Sequence, residues 1–74
     1  MPAQEAKPDM PPVAKVTSDQ AQAIALKTIP GKANSVEIER KRGKSVFTVE
    51  VITPDGQERD VFVDIESGEV VGTD

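Results

Sequence analysis

The sequence contains no histidine, cysteine, tyrosine or tryptophan, and its aromatic residues are two phenylalanines. Without histidine, the usual base that activates a serine is missing, and without cysteine there is no thiol nucleophile, disulfide or thiolate metal site. The chain also has no glycine-rich phosphate loop and no apolar run long enough to cross a bilayer. We therefore expect no enzyme, no cofactor and no insertion into a membrane.

The charge balance narrows the choice of partner. The 74 residues have a net charge of −4. The charges within residues 1–15 cancel, so the acidic excess lies in the rest of the chain. Because phosphate backbones and anionic lipids repel an acidic domain, we expect neither nucleic acid nor a membrane surface as a partner.

Proline divides the chain into two parts. Four of the six prolines lie in residues 1–15, whose only large apolar side chains are Met1, Met10 and Val13. Such a segment cannot bury enough surface to offset the entropy of ordering it. We predict a disordered lead-in over 1–15 and one small domain over 16–74. The lead-in lacks the apolar core of a signal peptide, which suits a mature exported protein as well as a cytosolic protein with a loose tail.

A short helix is expected at the start of the domain. Thr17 and Gln20 have the spacing of a capping box, in which each side chain bonds the other residue's backbone N–H. Ala21 and Ala25 lie on one helical face, and Pro30 ends the pattern. A helix of about eleven residues is not stable alone in water, so it must pack on another element.

That element is a sheet. Regularly spaced glycines separate runs in which apolar and polar residues alternate, the pattern of antiparallel strands with one buried face. The predicted fold class is α+β, with one short α-helix packed on one face of a four-stranded antiparallel β-meander. The expected strands lie near Ser35–Arg40, Lys44–Thr53, Glu58–Ile65 and Glu69–Val71.

Turn chemistry sets the register of the first hairpin. A two-residue Arg42-Gly43 turn pairs Val36 with Val49 and Ile38 with Phe47. A three-residue loop would shift every side chain to the opposite face, so the apolar pattern selects the shorter turn.

The other two turns complete the predicted core. A three-residue loop ending at Gly56 pairs Phe47 with Val63 and Val49 with Val61. The last turn leaves open whether Val70 or Val71 points inward. The eight inward residues of the sheet are Val36, Ile38, Phe47, Val49, Val51, Val61, Val63 and Ile65.

The same register gathers carboxylates around one aromatic ring on the face away from the helix. An aromatic anchor with an acidic surround suits a partner with cationic groups. The alternative is an ordinary solvated sheet face with one exposed aromatic residue. The candidate partner-binding residues are Phe62, Val46, Thr48, Glu37, Glu39, Glu50, Asp60 and Asp64.

Three smaller clusters have simpler interpretations. Glu39 and Asp64 are adjacent, but two carboxylates without a ligand loop are weak evidence for a divalent metal, and we assign no metal site. The basic hairpin tip over residues 40–44 has no interleaved aromatic residues, so we interpret it as a solvated turn. Asp64 and Gly68 flank the last turn, where an aspartate accepts backbone hydrogen bonds and a glycine adopts positive φ.

The order of these features resembles the PepSY domain family. An alanine-rich helix leads to Pro30-Gly31, followed by the alternating strands Val36–Glu39 and Val46–Val49. The closing run Val61–Val71 is similar to the family ending, in which apolar residues around an aspartate precede a glycine, a charged residue and two apolar residues. Phe47 stands where the family often has tyrosine. The resemblance spans about Val16 to Gly72.

That resemblance implies a secreted, periplasmic or cell-wall setting, with a signal peptide expected upstream of the printed sequence. PepSY domains occur in propeptides of thermolysin-type metallopeptidases and in small exported proteins, and an inhibitory or regulatory action on peptidases is proposed for the family. No catalytic residues are carried over.

The leading hypothesis is therefore a non-catalytic protein-interaction module that inhibits or regulates a peptidase, using the face around Phe62 or an exposed edge strand. The alternative is a self-associating structural or spacer domain without a peptidase target, with Val46, Ile52 and Phe62 as its apolar contacts. We expect a monomer or a weak homodimer.

Overall fold

The computed structural model describes residues 16–74; the predicted lead-in, residues 1–15, lies outside them. In chain order the elements are α1 (Ser18–Thr28), β1 (Lys32–Lys41), β2 (Lys44–Ile52), β3 (Glu58–Asp64) and β4 (Val70–Thr73). The strands form one antiparallel sheet in the order β1-β2-β3-β4, and α1 packs on one of its faces. This confirms the α+β fold with one helix on a four-stranded antiparallel meander.

The helix begins with the predicted capping box. Thr17 Oγ1 accepts a hydrogen bond from the Gln20 backbone N–H at 3.2 Å, and Gln20 Oε1 accepts one from the Thr17 N–H at 2.9 Å. These bonds satisfy two donors that a helix start leaves unpaired. Ala21 and Ala25 are fully buried against the sheet, because their small side chains let the helix backbone approach it closely.

The two β2 hairpins have the predicted registers. Arg42 (φ 55°) and Gly43 (φ 81°) are both left-handed, as a two-residue type I′ turn requires. Val36 therefore lies opposite Val49, and Ile38 opposite Phe47. On the other side of β2, the Thr53 N–H donates to Gln57 O at 2.9 Å and the Gly56 N–H to Thr53 O at 2.8 Å, and Phe47 lies opposite Val63.

The core lies between α1 and β2–β3, and one predicted member is missing from it. Ile38 is 67% exposed, so its assignment to the core was wrong. Its side chain lies on the helix-covered face, opposite Phe47, but on an edge strand. An 11-residue helix spans about 16 Å, whereas the ten residues of β1 span about 33 Å. The helix is too short to cover this corner. The buried apolar residues of the core are Ala21, Ala25, Phe47, Val49, Val51, Val61 and Val63.

Strand β4 settles the alternative left open at the last turn. It pairs Val70 with Val63 and Gly72 with Phe62, and the register shift between these pairs leaves Val71 as an extra residue. Val70 is 37% exposed and Val71 is 40% exposed. Val70 thus lies opposite a core residue, yet neither valine joins the core.

Among the described residues, no helix has the length and apolar character needed to cross a membrane.

Candidate partner-binding face

The sheet face opposite α1, which we call the outer face, has the predicted arrangement of side chains. Phe62 lies in one row with Thr48 and Glu37. On the β4 side of the ring is Gly72, where an added Cβ would lie 3.5 Å from Phe62 Cδ2. The half-buried ring therefore leans over a residue that has no side chain, as aromatic residues beside a strand glycine do. The adjacent rows contain Glu39, Val46 and Asp64 on one side, and Ser35, Glu50 and Asp60 on the other.

Two lysines of the β1–β2 hairpin cross this face. Lys41 Nζ lies 4.7 Å from the centroid of the Phe62 ring and 3.8 Å from Glu39 Oε1. Lys44 Nζ lies 3.4 Å from Asp64 Oδ2. The two side chains remain 45% and 58% exposed, which agrees with a solvated turn, but their contacts with Phe62, Glu39 and Asp64 were not predicted. The alternation of side chains along each strand could have placed both lysines on the outer face. Lys41 lies two residues after Glu39 on β1, and Lys44 lies two residues before Val46 on β2.

Val46 is fully buried, so the expectation that it is exposed on this face was wrong. Its cross-strand neighbours are Glu39 and Asp64, and Lys44 and Thr48 flank it along β2. These four side chains bond in pairs around it. Lys44 contacts Asp64, and Thr48 Oγ1 donates to Glu39 Oε1 at 3.0 Å. Long polar side chains cover apolar surface with their stems while their charged ends stay near water.

Asp64 holds the last turn in place. It is 6% exposed, and its Oδ1 accepts the Glu66 backbone N–H at 2.8 Å. The Gly68 N–H donates to Asp64 O at 2.8 Å, and Gly68 has a φ of 82°. The bond from Glu66 lowers the pKa of Asp64 below its ordinary value of 3.8, and Lys44 lowers it further against the opposing effect of burial. The predicted role of Asp64 and Gly68 in this turn agrees with these bonds.

Asp64→Asn is expected to lower the melting temperature at neutral pH. A depressed pKa means that the carboxylate stabilises the fold above its ordinary pKa of 3.8. This stabilisation is lost as the pH falls through the lower pKa of the folded state. The difference in melting temperature between wild type and variant, measured by circular dichroism from neutral to acid pH, should therefore narrow as the pH falls below the ordinary pKa.

The matched control for this prediction is Glu58→Gln. Glu58 is an exposed β3 carboxylate that makes no side-chain hydrogen bond or ion pair to any residue in 16–74. Its substitution should shift the melting temperature little at any pH. A gap for Asp64→Asn that stays constant down to the lowest pH would contradict the role given to its charge.

The acidic character of the outer face remains strongest away from the hairpin tip. Burial raises the pKa of Asp60, and the negative charges of Glu50 and Asp74 raise it further. Glu50 Oε1 accepts a bond from Asn34 Nδ2 at 2.7 Å. The Glu37 carboxylate is exposed and makes no hydrogen bond or ion pair with any residue in 16–74. A cationic group placed here would relieve repulsion among these carboxylates.

Beside Phe62 the outer face contains a groove of about 700 Å³ that the sequence did not predict. Lys41, Arg42 and Lys44 line one side, and β4 residues from Val71 onward line the other. Gly72, which has no side chain, also lines the groove. The outer face therefore combines an apolar floor, a basic wall and acidic residues further along the sheet.

The structure gives no support to a metal at Glu39 and Asp64. Their carboxylates already contact Thr48, Lys41, Lys44 and the Glu66 backbone. Within residues 16–74 there is no group of three or more His, Cys, Asp or Glu side chains that could hold a metal ion.

One helix on a four-stranded antiparallel sheet, whose opposite face is not covered by any other element of residues 16–74, defines a small α+β domain. Within that class, the chain belongs to the PepSY family. The family model described as "Peptidase propeptide and YPEB domain" matches residues 15–74. This confirms the resemblance. No curated protein and no solved structure matches the chain.

Proposed function

We propose that this domain is a non-catalytic protein-interaction module that inhibits or regulates a peptidase in the cell envelope or the secreted space. Its membership of a family described by peptidase propeptides supports the choice of a peptidase. A propeptide-type domain acts by binding, so it needs a complementary surface and no reacting groups.

The composition and the form of the outer face support a role without catalysis. The chain has no histidine or cysteine. The carboxylates of the outer face lie on an open sheet surface rather than in an enclosed cleft that excludes water from a reacting atom. Of the outer-face carboxylates, Asp64 already holds the last turn.

The observation that carries the proposal is the half-buried Phe62 ring beside an open groove. Aromatic residues in partly desolvated pockets contribute most to protein interfaces. A partner side chain entering the groove would contact the ring and Val71. The carboxylates of Glu37 and Glu50 would then face basic groups of the partner, which gives orientation and faster association.

Phe62→Asp is expected to weaken inhibition and binding of a target peptidase by about thirtyfold or more, the loss typical of an interface hot spot. The test is the inhibition constant against a purified thermolysin-type metallopeptidase, with binding measured in parallel by calorimetry. Far-UV circular dichroism would confirm that the variant folds.

The matched control is Ala23→Asp, which also replaces an apolar residue with aspartate, but at an exposed position of α1 on the other side of the sheet. It should leave inhibition nearly unchanged. Inhibition unaffected by Phe62→Asp would exclude the outer face as the docking surface. Absence of binding to metallo-, serine, cysteine and aspartic peptidases alike would overturn the proposed function.

The alternative, a self-associating spacer domain, loses one of its expected contacts because Val46 is buried. Sedimentation velocity over a range of concentrations tests it directly. A monomer whose sedimentation coefficient does not depend on concentration would exclude it.

A further inference from the structure

Among residues 16–74, strand β1 forms an open edge of the sheet. Within that range it pairs with β2 alone, and it is ten residues long without a proline. Its register shift lies near its start, between Ala33 and Ser35, so the stretch from Val36 to Arg40 is regular. The opposite edge, β4, is four residues long and irregular. Natural sheets protect their edges with short strands, bulges, prolines and charged side chains. Strand β4 is short and has a bulge, whereas the regular stretch of β1 from Val36 to Arg40 has only its charged side chains.

The hairpin geometry shows which backbone groups face outward. In a two-residue hairpin the residues that flank the turn, here Lys41 and Lys44, exchange both backbone hydrogen bonds. Because hydrogen-bonded pairs alternate along antiparallel strands, the backbone groups of Glu39 and Glu37 also bond to β2. The N–H and C=O groups of the intervening residues therefore point away from the sheet; these residues are Val36, Ile38 and Arg40.

The most exposed large apolar side chain among the described residues lies at the centre of this edge. Ile38 is 67% exposed, compared with 40% for Val71. No hydrogen bond within residues 16–74, outside the β1–β2 ladder, uses the backbone of Val36, Ile38 or Arg40. Outward backbone donors and acceptors thus coincide with an uncovered apolar side chain, the combination that binds an added strand.

The charges of β1 indicate what kind of strand fits. Glu37 and Glu39 lie on its outer face, on either side of Ile38 in sequence. If a second copy paired antiparallel about Ile38, Glu37 of each copy would lie opposite Glu39 of the other. Directly opposed like charges destabilise strand pairing, whereas opposite charges favour it. A copy of this chain is therefore a poor occupant, and a segment with basic residues is a good one.

We propose that the edge of β1 from Val36 to Arg40 binds an extended segment of a protein partner as a fifth strand, with an apolar side chain over Ile38 and basic side chains beside Glu37 and Glu39. This rests on the proposed function, because it assigns a second contact surface to the same protein-interaction module. The edge and the outer face adjoin at Glu37 and Glu39, so one partner contacts both.

The probe is an acetylated and amidated pentapeptide in which three valines alternate with two lysines. Paired antiparallel about Ile38, it places its lysines beside Glu37 and Glu39 and its central valine opposite Ile38. Nuclear magnetic resonance titration of the isotope-labelled chain is expected to shift the amides of β1 and slow their hydrogen exchange. Shifts confined to residues around Phe62 would overturn the proposal.

Two controls separate strand pairing from charge attraction. The same peptide with an N-methyl group on its central valine keeps both lysines but loses a ladder donor, and it should bind about tenfold more weakly or worse. Ile38→Lys puts a positive charge on the exposed edge and should abolish binding of the unmodified peptide. Equal binding of the methylated peptide, or unchanged binding by Ile38→Lys, would contradict strand addition.

The peptide experiment and the peptidase assay test the two proposals separately, so either proposal can be overturned without the other. Phe62→Asp should leave peptide binding intact, because Phe62 lies on β3 rather than on the edge. Peptide binding at β1 without inhibition of any peptidase would overturn the proposed function alone. Inhibition by both wild type and Ile38→Lys, without peptide binding, would overturn the strand-addition site alone.

Discussion

Replacing Phe47 with alanine is expected to unfold the domain at room temperature. Phe47 is 7% exposed and lies between Ile38 and Val63 on the face that α1 covers. Removing a buried phenylalanine ring costs about 3–5 kcal/mol of unfolding free energy. A domain of this size has a total stability of about the same magnitude. Far-UV circular dichroism should show loss of the cooperative thermal transition.

The control for Phe47 is its cross-strand neighbour. Ile38→Ala removes a large apolar side chain from the same face and the same row, but one that is 67% exposed. Because little buried area is lost, the cost should stay below about 1 kcal/mol. If Phe47→Ala retained a cooperative transition as stable as that of Ile38→Ala, the core described above would be wrong.

Gly31→Ala is the second substitution with a large expected effect. A Cβ on Gly31 would collide with Ile52 O and would lie 2.9 Å from Val51 Cγ1. The first of these atoms belongs to the backbone of β2, which cannot move without disturbing the sheet. Gly31 also has a φ of 157°. We expect a loss of about 2–4 kcal/mol, measured by urea denaturation, from overpacking together with backbone strain.

Gly56→Ala isolates the contribution of that collision. Gly56 has a φ of 87°, and a Cβ added to it would meet nothing within 4 Å. This variant should therefore lose only the free energy that a left-handed backbone costs an alanine, about 1–2 kcal/mol. Gly31→Ala should be clearly the more destabilising of the two. Equal losses would mean that the loop between α1 and β1 adjusts freely to the added methyl group.

Much of the sheet was predictable because strand periodicity and turn chemistry constrain each other. Side chains alternate with a period of two, so a one-residue slip would have moved Val36 to the outer face. The Arg42-Gly43 turn and the three-residue loop ending at Gly56 each admit one register that keeps the apolar residues together. The same arithmetic placed Glu37, Thr48 and Phe62 in one row, so the candidate face followed from local rules.

The errors have a different physical origin. Ile38 has the same alternation as Phe47, and whether it is covered depends on how far α1 extends across the sheet. Val46 was expected to be exposed because the register places it on the sheet face away from the helix. It is buried among Glu39, Lys44, Thr48 and Asp64, whose side chains bond one another in pairs. Periodicity does not encode these side-chain contacts.

The sequence by itself determined the order of the elements, the helix start, the registers of the two β2 hairpins and the family, because these depend on short-range patterns in the chain. Only the tertiary structure decided which parts of the two sheet faces are open. It exposed Ile38, buried Val46, brought Lys41 onto the Phe62 ring and placed Gly31 against the backbone of β2. The reason is that exposure depends on the length and position of neighbouring elements, which join residues far apart in the chain.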